Sequence, residues 1–185
     1  MPNYRRWKAE GAVYFFTIVT HERRGILTTP FARSCLRTAF RECRARHPFE
    51  LPAIVLLPDH LHLVIRLAPG ECDYSKRISS IKGCFTRVYL GGMGAEGTAT
   101  ASRRRQRYRG VWQKRFYEHC IRDSRDNLRH IDYIHANPVK HGLVRLARDW
   151  PWSTFHRYVK LGEYPLDWCG HVELPGEVYL EPDTW

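Results

Sequence analysis

The period of apolar and polar positions changes several times along this chain, and each change marks an element. "AVYFFTIVT" (Ala12–Thr20) is rich in aromatic and β-branched residues and predicts a buried strand. From Pro30, "PFARSCLRTAFRECRARH" sets Phe31, Cys35, Leu36, Ala39, Phe40 and Cys43 at intervals of three and four, the spacing of an amphipathic helix. "FELPAIVLLPDHLHLVIRLAPG" reads as two strands around the turn formers Pro58 and Asp59. Helical spacing returns in "YSKRISSIKGCFTRVYL" through Ile78, Ile81, Phe85 and Val88, with Gly83 as a weak spot. "WQKRFYEHCIR" predicts a further strand. Ser124 is the expected N-cap of the helix "RDNLRHIDYIHAN", and Pro138 its expected end.

The order β-α-β-β-α-β-α predicts an α+β fold. It fits a ferredoxin-like split βαβ antiparallel sheet with helices on one face and the other face open, plus an additional C-terminal helix. Residues 91–110 break the pattern, because glycine, alanine and threonine give way to five arginines in seven residues, predicting a flexible Arg-rich loop. A chain of 185 residues suits one domain, expected over 1–170, with an acidic tail over 171–185 carrying Glu173, Glu177, Glu181 and Asp183.

Charge then narrows the partners. Thirty Lys and Arg against nineteen Asp and Glu give a formal net charge of +11, which argues for a polyanion. Six cysteines without a C-x-x-C pair predict buried free thiols in a reducing cytosol rather than a zinc ribbon. With no signal-peptide order and no membrane-spanning apolar run, a cytoplasmic protein without membrane contact is expected.

The chemistry starts in "LPDHLHLVIRL". Residues two apart on a strand share a side, so His60, His62, Val64 and Arg66 face one way and Leu61, Leu63, Ile65 and Leu67 the other. Two neutral imidazoles on neighbouring same-side positions can share one divalent ion. A bare H-x-H pair is also common on protein surfaces; here its apolar flanks place it at the centre of a sheet, where polar groups need a reason.

On the helix after Ser124, Leu128, Ile131, Ile134 and His135 are expected on the packing side. Arg129, Tyr133 and Asn137 are expected together on the other. An aromatic and an amide away from the core can address a ligand. The plainer alternatives are that Tyr133 covers the rim of the core and Asn137 ends the helix. Joined to the histidines, the set suggests a reaction. A divalent metal, Mg²⁺ or Mn²⁺, on His60 and His62 with Asn137 as third ligand would polarise a phosphodiester that Tyr133 attacks, leaving a phosphotyrosine link. Tyr117 is the rival nucleophile, placed on a predicted strand.

"LPDHLHLVI", "VWQKRFYEHCIRD", "DYIHANPVKHGLV" and "DWPWSTFHRYV", in this order, resemble the REP-associated tyrosine transposases, relatives of the single-tyrosine HUH transposases of the insertion-sequence 200-like type. The resemblance implies a ferredoxin-like HUH nuclease. Its substrate is single-stranded DNA containing repetitive extragenic palindromes, cut and rejoined beside a hairpin. By position it places His60 and His62 on the metal ligands and Tyr133 on the nucleophile. Asn137 stands where broader HUH transposases carry a glutamine.

Candidate DNA contacts are Arg5 and Arg6; Lys82; Arg103, Arg104, Arg105, Arg107, Arg109, Lys114 and Arg115, interleaved with Tyr108 and Trp112; and Arg129, Lys140 and His141 near the tyrosine. Cations for phosphates and rings for unpaired bases suit single strands. Relatives of this kind work as monomers or homodimers, and nucleoid association follows from the DNA partner. Two other classes stay in view: a catalytically idle binder of palindromic repeats, and an RNA-binding ferredoxin-like module, which would carry aromatic residues where His60 and His62 stand.

Overall fold

In a computed structural model, which describes residues 9–98, 100–105 and 108–168, four strands form one antiparallel sheet. They are β1 (Val13–Val19), β2 (Phe49–Leu56), β3 (His60–Leu67) and β4 (Tyr117–Cys120), in the order β2-β3-β1-β4. That is the ferredoxin-like arrangement, with the two most apolar strands, β1 and β3, in the centre. The edge strand β2 carries Pro52 where its register against β3 shifts between Glu50 and Ala53, a position that suits a residue without an N–H.

Alternation along the central strands sends two sets of side chains to two cores. Tyr14, Phe16, Ile18, Leu61, Leu63, Ile65 and Leu67 pack beneath α1 (Pro30–Arg46) and α2 (Tyr74–Gly91). Thr29 caps α1 by accepting from the Ala32 N–H at 3.2 Å, ahead of Pro30, whose missing donor is not needed there. Asp73 caps α2 through the Lys76 N–H at 3.2 Å.

The second face of the sheet is not open. Phe15, Ala53, Val55, Leu57 and Val64 are covered by α4 (Ser124–Lys140), with α3 (Ala101–Arg105) preceding it in the chain. The N-cap of α4 is Asp123 rather than Ser124; its carboxylate accepts from the Asp126 N–H at 2.8 Å, where negative charge also suits the helix dipole. Pro138 does not end α4. It lies in the last turn, where one lost hydrogen bond is tolerated, and the next N–H groups still reach back, His141 to the Asn137 carbonyl at 3.0 Å. The buried side of α4 also differs from the expected one: Leu128 is 57 % exposed, whereas Tyr133 and Asn137 are buried with His130 and Ile134. These four follow the i, i+3, i+4, i+7 rule, but half are polar, so an apolar count misses the face.

"DWPWSTF" packs on the domain. Trp150 donates to the Leu56 carbonyl at 3.0 Å, and Ser153 bridges to Val55, closing the outer edge of β2 before α5 (Phe155–Lys160). Where a loop is expected over 91–110, Ala101–Arg105 form the short α3. The stretch is tied back to the end of β1: the Gly97 N–H donates to the Gly110 carbonyl at 3.1 Å, and the Tyr108 hydroxyl bonds both the Trp112 carbonyl and His21 Nδ1 at 2.8 Å. A Cβ on Gly110, at φ +61°, would stand 2.7 Å from Gly97 backbone, so this pinch point needs glycine. Arg5, Arg6, Arg107 and the tail over 171–185 lie outside the described residues. Cys35, Cys43, Cys72, Cys84 and Cys120 are free thiols, and no helix among the described residues is long and apolar enough to cross a membrane.

Candidate active site

β3 and α4 bring the candidate residues together. On β3, His60 and His62 are each 2 % exposed, with ring centroids 4.8 Å apart. From α4, the Tyr133 ring lies 5.1 Å from His62 in an edge-on arrangement, and the phenol residue is 1 % exposed. Phe15 on β1 fills the floor beside both, 5.5 Å from His62 and 5.9 Å from Tyr133. Just past α4, His141 stands 5.1 Å from His60, and Lys140 holds its ammonium 5.1 Å above the Tyr133 ring. All of these belong to one chain.

Hydrogen bonds fix both imidazoles from behind. His60 Nδ1 donates to Asp59 at 2.6 Å, and Asp59 in turn pairs with Arg23 at 3.0 Å. His60 and Arg23 hold the Asp59 carboxyl down at about 2 against the opposing effect of its burial, so it is a carboxylate throughout the ordinary pH range. Glu22 and Arg23 both take positive φ, 53° and 49°, a costly backbone that delivers the guanidinium to Asp59. His62 Nδ1 shares a 2.8 Å hydrogen bond with Thr17, the residue facing it across the β1–β3 register. Burial first, then the neighbouring cationic groups, push His62 well below its ordinary range, which keeps the ring neutral.

A neutral imidazole held at Nδ1 offers its Nε2 lone pair to a cation. His62 Nε2 is buried and makes no hydrogen bond among the described residues, and the same is true of both amide atoms of Asn137, which is wholly buried four residues after Tyr133. Buried polar atoms left in this way call for a missing partner. Imidazole nitrogen with amide oxygen is a fitting donor set for a small divalent metal.

Tyr117 is half-buried on β4 on the far side of Phe15, 6.3 Å from it. Burial and the carboxylates of Glu118 and Asp126 push its phenol pKa up.

The proposed DNA contacts divide. Arg104, Arg105, Lys114, Arg115, Arg129, Lys140 and His141 are exposed, and Arg103 lies within α3. Arg109 is exposed but ion-paired with Glu96. Lys82 is turned to the other side of the sheet, where it donates to the Gln113 carbonyl at 2.7 Å and ties α2 to the segment before β4. Thr17, Asp59, Arg23 and Phe15 are site residues that sequence reasoning missed. Asp59 was legible as the neighbour of His60, but its place in a turn masked it; the others come together only by strand pairing.

The chain can now be set beside known proteins. Residues 8–137 match the family described as "Transposase IS200 like". The chain is 43 % identical over 176 residues to a protein of Haemophilus influenzae named "Putative REP-associated tyrosine transposase", covering 94 % of this chain and 97 % of that one. It is 41 % identical to the "REP-associated tyrosine transposase" of Escherichia coli K12 over 173 residues, 93 % of each chain. A solved structure of a REP-associated tyrosine transposase bound to a REP hairpin superposes with a TM-score of 0.75 at 40 % identity, over 91 % of each chain.

Proposed function

The chain belongs to the IS200-like transposase family, enzymes that cleave and join DNA strands, and from that premise we propose that it acts on single-stranded DNA carrying REP-type hairpins through a covalent phosphotyrosine link. The observation that carries this reading is the juxtaposition of Tyr133 with His62, beside an Asn137 amide and a His62 nitrogen that have no protein partner. His60, His62 and Asn137 would hold a divalent cation, Mg²⁺ or Mn²⁺. When bound, such an ion draws charge from the non-bridging oxygens of the scissile phosphate. The Tyr133 oxygen attacks phosphorus and loses its proton to solvent; the bond to the 3′ oxygen breaks, and that oxygen takes up a proton as a free 3′-hydroxyl. The 5′ phosphate remains on the tyrosine. Joining is the reverse, with a 3′-hydroxyl displacing the phenol.

Lys140 above the phenol and His141 beside His60 supply positive charge where the phosphate must sit. The exposed arginines and lysines of α3 and the 114–115 segment are placed to hold the strand by its phosphates. Tyr117 is disfavoured as nucleophile because its surroundings raise its pKa, the direction opposite to activation. Because both histidines and the tyrosine come from one chain, a monomer suffices for the chemistry, and the nucleoid is its place of work.

The test is a labelled single-stranded REP hairpin incubated with the protein and Mg²⁺ or Mn²⁺, followed by denaturing electrophoresis. A protein–DNA adduct that survives denaturation, is retained in Tyr117→Phe and disappears in Tyr133→Phe is expected. Tight hairpin binding with no adduct under either metal would instead identify an idle repeat-binding protein.

A further inference from the structure

One buried polar array lies outside the proposed chemistry. On β4, His119 is paired in register with Phe15 and turns its ring toward α4. Its Nε2 donates to Asp126 Oδ2 at 2.8 Å, and the Arg122 N–H donates to the same oxygen at 3.0 Å. Asp126 gives its own N–H to Asp123, so the two acids form a reciprocal cap on the first turn of α4. One turn later, His130 Nδ1 donates to the Asp126 carbonyl at 2.7 Å, and its ring stacks on His119 with centroids 4.6 Å apart and planes within 16°. The other side of the His130 ring meets Phe15 at 4.8 Å, and Phe15 touches both His62 and Tyr133.

Helix α4 carries its nucleophile three residues after His130. A helix held only by its apolar stripe can slide or roll by fractions of an ångström, because apolar contact has no direction. Hydrogen bonds to a charged, buried carboxylate do have direction and are strong. The array fixes the rotation and height of α4 against β4 at one point, and Phe15 transmits that setting to the two reacting groups. His119 and His130 hold the Asp126 carboxyl at about 2, and burial keeps His130 neutral, so the array stays in one protonation state at neutral pH.

From these contacts we propose that His119, Asp126 and His130 form a latch that sets the tyrosine helix on the sheet, with all three acting as positioning residues for Tyr133. The proposal rests on Tyr133 being the nucleophile. Candidate metal-ligand atoms of the same three residues lie within 4.8 Å of one another, so a second cation site is the competing explanation. The latch is favoured because the carboxylate already caps the helix and each of the three side chains has a hydrogen-bonded role without an ion.

The experiment uses the full chain with 3-fluorotyrosine at position 133, read by fluorine NMR, alongside the adduct rate at saturating hairpin, hairpin affinity and thermal melting. His119→Ala is expected to move the fluorine resonance and to slow adduct formation by about tenfold or more, since a 1 Å misplacement costs about 100-fold, while hairpin affinity changes by less than about twofold. His119→Gln, which restores an N–H toward Asp126, is expected to recover most of the rate and the resonance. If His119→Ala melts too early to assay, Asp126→Asn in the same measurements replaces it. An unmoved resonance together with an unchanged adduct rate overturns the latch. So does calorimetry with Mn²⁺ or Zn²⁺ in which a second binding event vanishes in His119→Ala. A wild type that forms no adduct, yet whose resonance shifts in His119→Ala, overturns the nucleophile reading and leaves the latch standing.

Discussion

The two faces of one sheet are filled by different rules. Beneath α1 and α2, the side chains of β1 and β3 are apolar or aromatic, and the packing answers only to volume. Beneath α4 the same two strands present Thr17, His60 and His62, and the helix adds His130 and Asn137, all buried. Desolvating these groups costs free energy that a purely stable fold would avoid. The apolar face therefore builds stability, and the polar face, fixed by directed hydrogen bonds, spends part of it to hold reactive groups still.

The sharpest break of this contrast is Tyr133→Phe. It removes one oxygen from the polar face and should abolish the covalent adduct, a loss on the order of 10⁴-fold or more, with an unchanged melting temperature. Next comes His62→Leu: adduct formation should fall by at least about 100-fold in a gel assay, while urea midpoints hold or rise, because an unsatisfied buried nitrogen is exchanged for apolar contact. One residue along β3 the balance inverts. Leu63→Ala, on the apolar face, should cost about 2–5 kcal/mol in urea unfolding, and the fraction that stays folded should keep its adduct rate per molecule.

The smallest effect is a pH limb. With the Asp126 carboxyl held at about 2, its contribution to stability is complete above the ordinary carboxylate range and is lost as pH falls from about 4 through about 2. It amounts to about 2 kcal/mol, so Asp126→Asn should show a shallower loss of urea midpoint between pH 5 and pH 2 than the wild type.

Much of this was legible in the sequence. Alternation in "HLHLVIRL" places two histidines on one side of a strand and four apolar residues on the other, and β3 follows it residue by residue. The element order gives the fold, and the motifs give the family. The reading of α4 failed on its inward face, because Leu128 was counted as core and Tyr133 and Asn137 as surface. The helix turns the other way, since the face it covers offers Thr17 and two imidazoles and accepts polar partners. For the same reason the expected open platform became a covered site, and Asp123 displaced Ser124 as cap.

Local rules act over a few residues, so the chain alone determines where strands and helices lie, which β3 side chains share a face, and that His60, His62 and Tyr133 are all present. Their meeting depends on contacts between segments about 70 residues apart in sequence, together with Thr17 and Phe15 from a third segment. Only tertiary packing decided that α4 would roll its tyrosine toward the sheet, because the side of a helix that goes inward is chosen by the surface it meets and not by its own composition.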